Sequence, residues 1–150
     1  MSIITLMSVE VRFLLESGAR LPAYQTPGAA GLDLCSIEEV VLAPMERRAI
    51  RTGLRLAIPA GYEGQIRARS GLALRHGLAL VNAPGTIDAD YRGELQILMI
   101  NLGSDVVQLR QGERLAQLVI SPVVQAQIVE VTTLDETERG DGGFGSTGSQ

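Results

Sequence analysis

The 150-residue sequence has no lysine and no tryptophan, one cysteine (Cys35) and one histidine (His76). All 13 basic residues are arginine. Without lysine there is no P-loop phosphate clamp, no Schiff-base amine and no lysine general base. A lone cysteine excludes an internal disulfide, and one Cys with one His argues against a zinc site of those donors. A Ser-His-Asp or Cys-His centre would have to use His76. That residue ends an Ala-Leu run and precedes Gly77, a pattern that predicts the last turn of a short helix and its glycine cap. Aromatics make up only 3% of the chain. The formal net charge of −4 argues against a nucleic-acid binder held by phosphate contacts. No apolar run approaches the length that spans a bilayer, and the amino terminus has no basic segment followed by an apolar one. The expectation is a soluble, cytoplasmic protein with no membrane partner.

What is present is aliphatic. Hydrophobic residues reach 45%, enough for one domain with a core of Val, Leu, Ile and Ala. Residues 8–15 alternate, with Val9, Val11, Phe13 and Leu15 on one side, and predict a half-buried strand. In 29–36, Leu32 and Leu34 oppose Asp33 and Cys35; taken alone, Asp33 reads as an exposed edge acid. Short strands are expected at 40–42, within 46–58, at 64–69, before Asn82, at 95–101, 105–109, 114–120 and 127–131. Residues 72–75 fit one helical turn. Turn residues separate these runs and no helical period is sustained, so the fold class is all-β, a sandwich or barrel.

Two stretches stand apart. Between apolar runs, residues 82–94 pack together an amide, a Pro84-Gly85 turn signal, two carboxylates two apart, a tyrosine and an arginine. If 85–91 is extended, Asp88 and Asp90 share one face while Ile87, Ala89 and Tyr91 share the other. The end of the chain, 139–150, is rich in glycine with Arg139, Phe144, Ser146 and Thr147 interspersed. It predicts a mobile tail whose bare amides could wrap a phosphate.

Five segments, in this order, resemble the five motifs of the trimeric dUTP diphosphatase (dUTPase) family. They are Ala30-Gly31-Leu32-Asp33-Leu34; Arg69-Ser70-Gly71-Leu72-Ala73; Gly85 to Glu94, preceded by Asn82; Gly112 to Leu118; and Arg139 to Gly148. The third and fifth are specific, and the resemblance spans nearly the whole chain. Two small departures are Leu32, where an aromatic is common, and Ala68, where a proline often stands.

The resemblance implies a β-barrel-like jelly roll (1–138) assembled as a homotrimer. Active sites would lie at subunit interfaces, and the tail (139–150) would close over them. It implies hydrolysis of dUTP to dUMP and pyrophosphate with Mg²⁺ on the triphosphate, which limits uracil in DNA and supplies dUMP. Asp88 corresponds to the carboxylate that activates water for in-line attack on the α-phosphorus. Tyr91 corresponds to the ring under the deoxyribose; it would be buried whether it serves there or in the core. Asn82, the backbone of Thr86, Ile87 and Asp88, and Gln96 match the uracil-reading positions. Arg69, Ser70 and Gly71 match the loop for the α- and β-phosphates, with Gln117 a further contact or else a buried strand amide. Asp33 matches the acid that orients hydrated Mg²⁺ through water, with an interface ion pair as the rival role. Arg139 would hold the γ-phosphate, Phe144 would stack on uracil, and Gly145, Ser146 and Thr147 would complete the γ-phosphate contacts. Alternatives are a dCTP deaminase, a bifunctional deaminase-dUTPase, or a dUTPase-like regulatory binding module. No deaminase-type acid follows Arg69-Ser70, and the glycine-rich end is retained.

Overall fold

A computed structural model of the chain describes residues 8–145. The alternating runs form eleven strands in chain order: β1 (Arg12–Leu15), β2 (Leu32–Cys35), β3 (Val40–Leu42), β4 (Arg47–Arg51), β5 (Leu54–Ala57), β6 (Tyr62–Ala68), β7 (Leu78–Leu80), β8 (Gly85–Ile87), β9 (Gln96–Asn101), β10 (Val107–Leu109) and β11 (Arg114–Pro122). One helix, α1 (Ser70–His76), interrupts them. Every pairing is antiparallel. The largest sheet runs β2-β11-β6-β8, a second runs β4-β9-β7, and β1-β5 and β3-β10 make two-stranded ribbons. The result is an all-β jelly roll. Among the described residues no helix is long and apolar enough to cross a membrane.

The core is aliphatic, as the scarcity of aromatics requires. Leu34, Leu42, Ile50, Leu95, Ile97 and Leu118 are fully buried. Each contributes about 2 kcal/mol by leaving water. Along residues 46–58, Ile50, Thr52, Leu54, Leu56 and Ile58 are all buried, whereas Arg48, two places before Ile50 in the same alternation, stays outside. The run is nonetheless two strands, because Gly53 takes a φ of 68° and turns the chain between β4 and β5. Asn101 is buried and fully engaged. Its Nδ2 donates to the carbonyls of Leu42 and Asp105, and its Oδ1 accepts from Gly103 N.

Helix α1 is pinned by buried Leu72 and ends where expected. Gly77 caps it in the left-handed conformation at φ 68°, with Arg75 and His76 in the last turn, where cations suit the helix dipole. His76 is exposed.

Three expectations are corrected. The first strand begins at Arg12 rather than Ser8. Residues 85–91 are not extended throughout: β8 stops at Ile87, and Tyr91 N donates to Asp88 O at 3.1 Å, closing a turn. Asp88 and Asp90 therefore do not share a strand face. Residues 127–131 alternate like a strand but pair with nothing among the described residues. Val124 is 96% and Ile128 88% exposed.

Candidate active site

Two groups of expected site residues lie at opposite ends of β6. The first gathers where β2, β11 and the start of α1 meet. Asp33 lies directly across from Gln117 of β11, and Gln117 across from Arg67 of β6, so the three form one row on the sheet's polar face. Asp33 is only 7% exposed. It is therefore not the exposed edge acid expected from β2 alone. It is buried because two guanidiniums neutralise it: Arg114 Nη1 lies 3.2 Å from Oδ2 and Arg69 Nε 3.7 Å from Oδ1. Arg69 Nη1 also donates to Arg114 O at 2.9 Å, which closes the cluster. Arg69 is the residue just before α1, Ser70 is exposed in its first turn, and Gly71 lies under the Arg75 guanidinium. Gln117 is half-buried, and its side chain lies against Gly31, where a Cβ would approach within 3.0 Å.

Arg114 is a site residue that motif reading left without a role, and a β-bulge explains why. Regular alternation puts residues 114 and 117 on opposite faces. The register between β11 and β2 slips between Arg114 and Ala116, so Leu115 and Ala116 both point inward and are both buried. The extra residue returns Arg114 to the face of Asp33 and Gln117. The signal was legible as two consecutive small or apolar residues that break the period of two.

Cys35 follows Asp33 on the same strand and is half-buried. Burial pushes its thiol pKa up, against the lowering pull of Arg20, Arg114 and Arg69. It is a protonated bystander, not a nucleophile.

The second group surrounds the turn after β8. The Ala83-Pro84 peptide is cis, and the Asn82 side chain lies over Gly85, which is buried. Strand β8 is an edge strand with β6 on one side only, so the backbone of Thr86 and Ile87 keeps an unpaired edge. Thr86 is exposed and Ile87 buried. Asp88 is exposed, and its carboxylate makes no hydrogen bond or ion pair among the described residues. Gln96 is exposed at the start of β9.

Tyr91 departs from the expectation of a buried ring. It is 43% exposed, and its hydroxyl donates to Glu94 O at 3.0 Å. The ring lies along the backbone of the turn with its outer face open.

The two groups do not meet within one chain. Ile87 is opposite Gly64, so Asp88 lies level with Glu63, and Arg69 follows six residues beyond Glu63. At the rise of an antiparallel strand that is about 20 Å, farther than neighbouring phosphates can bridge.

The described part of the tail packs little against its own chain. Arg139 Nε donates to Gly142 O at 2.9 Å, and Gly140 N donates to Thr137 O. Phe144 is fully exposed with a φ of 50°, and Gly145 follows at 82°. Ser146 and Thr147 lie outside the described residues.

A family model described as dUTPase matches residues 17–148. The chain is 58% identical over 136 residues to a deoxyuridine 5'-triphosphate nucleotidohydrolase of Zymomonas mobilis, covering 89% of this chain and 93% of that one. It superposes on the Staphylococcus bacteriophage 80alpha dUTPase with dUPNHPP at a TM-score of 0.87 and 31% identity, covering 93% and 99% of the two chains. It superposes at 0.77 and 30% identity, over 87% and 100%, on a mutant dUTPase of S. aureus phage phi11 described with a structural Mg(II) ion. An arginine-clasped acid beside a helix start, an unpaired carboxylate on an edge-strand turn and this extent of likeness lead to one statement: the chain belongs to the dUTPase family.

Proposed function

We propose that this protein hydrolyses dUTP to dUMP and pyrophosphate, with Asp88 as the general base. The observation that carries the reading is the turn after β8. It presents a carboxylate without a partner among the described residues, beside a tyrosine ring and an open strand edge. Asp88 accepts a proton from a water, the water oxygen attacks the α-phosphorus, and the pyrophosphate oxygen leaves in line. The unpaired edge of β8 and Asn82 read uracil by hydrogen bonds, and the narrow turn excludes a 5-methyl group. Tyr91 lies under the sugar, where a 2′-hydroxyl would collide with the ring and lose its water.

Arg69, Ser70, Gly71 and Gln117 hold the α- and β-phosphates. Arg139, Phe144 and Gly145, with Ser146 and Thr147, close over the γ-phosphate and the base. Among the described residues no three carboxylate, thiol or imidazole groups cluster to cage a metal. Mg²⁺ would be carried by the triphosphate and steadied through water by Asp33, whose Oδ1 is only loosely engaged by Arg69 at 3.7 Å. Bound there, it would neutralise phosphate charge.

The same reading makes the working unit a homotrimer. Asp88 and Arg69 stand too far apart to serve one substrate from one chain, so they serve it from two. The apolar 124–134 segment, without a strand partner among the described residues, has the composition of an arm that covers a neighbouring copy.

The test is pyrophosphate release from dUTP, UTP, dTTP and dCTP with and without Mg²⁺. Release confined to dUTP is expected. Comparable turnover of UTP and dTTP overturns the reading, and conversion of dCTP to a deaminated product would assign a deaminase instead.

A further inference from the structure

The sugar-facing tyrosine is held by a clamp whose parts lie outside the reacting groups. Residues 94 and 95 are fixed against the turn between β4 and β5 by four contacts. Gly53 N donates to Glu94 Oε1 at 2.9 Å, and Arg51 Nε lies 3.1 Å from Glu94 Oε2. Leu95 N donates to Leu54 O at 2.8 Å, and Thr52 Oγ1 donates to Leu95 O at 2.6 Å. Thr52 and Leu95 are fully buried, so this anchor is protected from water. Onto it Tyr91 fastens its hydroxyl, through Glu94 O.

The ring can take this position only because residue 93 is glycine. A Cβ built at Gly93 would sit inside the van der Waals shells of Tyr91 Oη and Cζ, and 2.8 Å from Cε2. Any side chain at 93 must push the ring off the backbone.

We propose that Gly93 and the Glu94 clamp are positioning residues that set the plane of Tyr91, and so the discrimination between deoxy- and ribonucleotides. The inference rests on the sugar-binding role given to Tyr91 above. Gly93 leaves the ring a bed, Glu94 O fixes its tip, and the turn at residues 51–54 holds Glu94 O still. Discrimination by a wall is only as sharp as the wall is stationary.

The test compares kcat/KM for dUTP and for UTP in Gly93→Ala, Glu94→Ala, Glu94→Gln and Tyr91→Ala, with thermal unfolding as a control for folding. Gly93→Ala should lower the dUTP-to-UTP ratio by about 10-fold or more, the range of one steric contact. Glu94→Ala should lower it in the same direction. Glu94→Gln, which keeps an acceptor for Gly53 N, should hold the ratio within about 3-fold. A purely structural role would reduce both substrates alike and leave the ratio intact. An unchanged ratio in folded Gly93→Ala, or in Glu94→Ala should the first variant not fold, overturns the proposal. If Tyr91→Ala also leaves the ratio unchanged, the sugar-binding role itself is wrong. A collapsed ratio in Tyr91→Ala alone confines the error to the clamp.

Discussion

Asp88 suits the base role proposed for it by what it does not touch. Asp33 is buried between two guanidiniums, whereas Asp88 is exposed and has no partner among the described residues, free to orient a water. Replacing it with Asn removes the proton acceptor but keeps the shape. Asp88→Asn should therefore lower kcat by about 10²–10⁴-fold while calorimetry with a non-hydrolysable dUTP analogue still detects binding; near-normal turnover would displace Asp88 as the base. Asp33 shows how far a local reading reaches. An acid between leucines in a short strand looks exposed until its partner, 81 positions later in the chain, is known. Arg114 stayed hidden for a related reason, since only the bulge puts it on that face. Tyr91 was legible as a candidate but not as a half-open ring, because the turn that carries it has neither glycine nor proline at residues 88–91 to announce it.

The elements that could be read from sequence are those whose stability is local or whose alternation is regular. The strand at 40–42 and the glycine-capped helix end are where their residues place them. The segment at 127–131 has the right alternation and no strand partner among the described residues. A strand needs a ladder, and alternation says nothing about which chain supplies it. The turn between β3 and β4 offers a test of one locally built element. Glu46 Oε2 accepts from Ala43 N at 2.9 Å, and its Oε1 accepts from Arg48 Nη2 at 2.6 Å. The Ala43 bond first, then Arg48, holds the Glu46 pKa below its ordinary 4.5. A depressed carboxylate stabilises the fold at pH above its ordinary value, and that contribution fades as pH falls through the folded value. The urea midpoint should therefore drop between about pH 5 and pH 3, less steeply in Glu46→Gln than in the parent. Equal slopes would show that the carboxylate contributes nothing to the turn.

The separation of Asp88 from Arg69 along β6 makes the proposed assembly testable by mixing variants. If, as proposed, a site takes its base from one copy and its phosphate loop from another, two inactive variants should complement. Asp88→Asn and Arg69→Ala proteins, each inactive alone, should regain activity at about a quarter of the sites when unfolded together in equal amounts and reassembled. No recovery would mean that both groups serve the substrate from a single chain. The clamped ring of Tyr91 has an optical consequence as well. With no tryptophan and only three tyrosines in the chain, fluorescence excited at the tyrosine absorption band comes from tyrosine. One of those emitters, Tyr91, stands half-open where the sugar is proposed to bind, so the molecule would carry a built-in, label-free indicator of whether a nucleotide is in place.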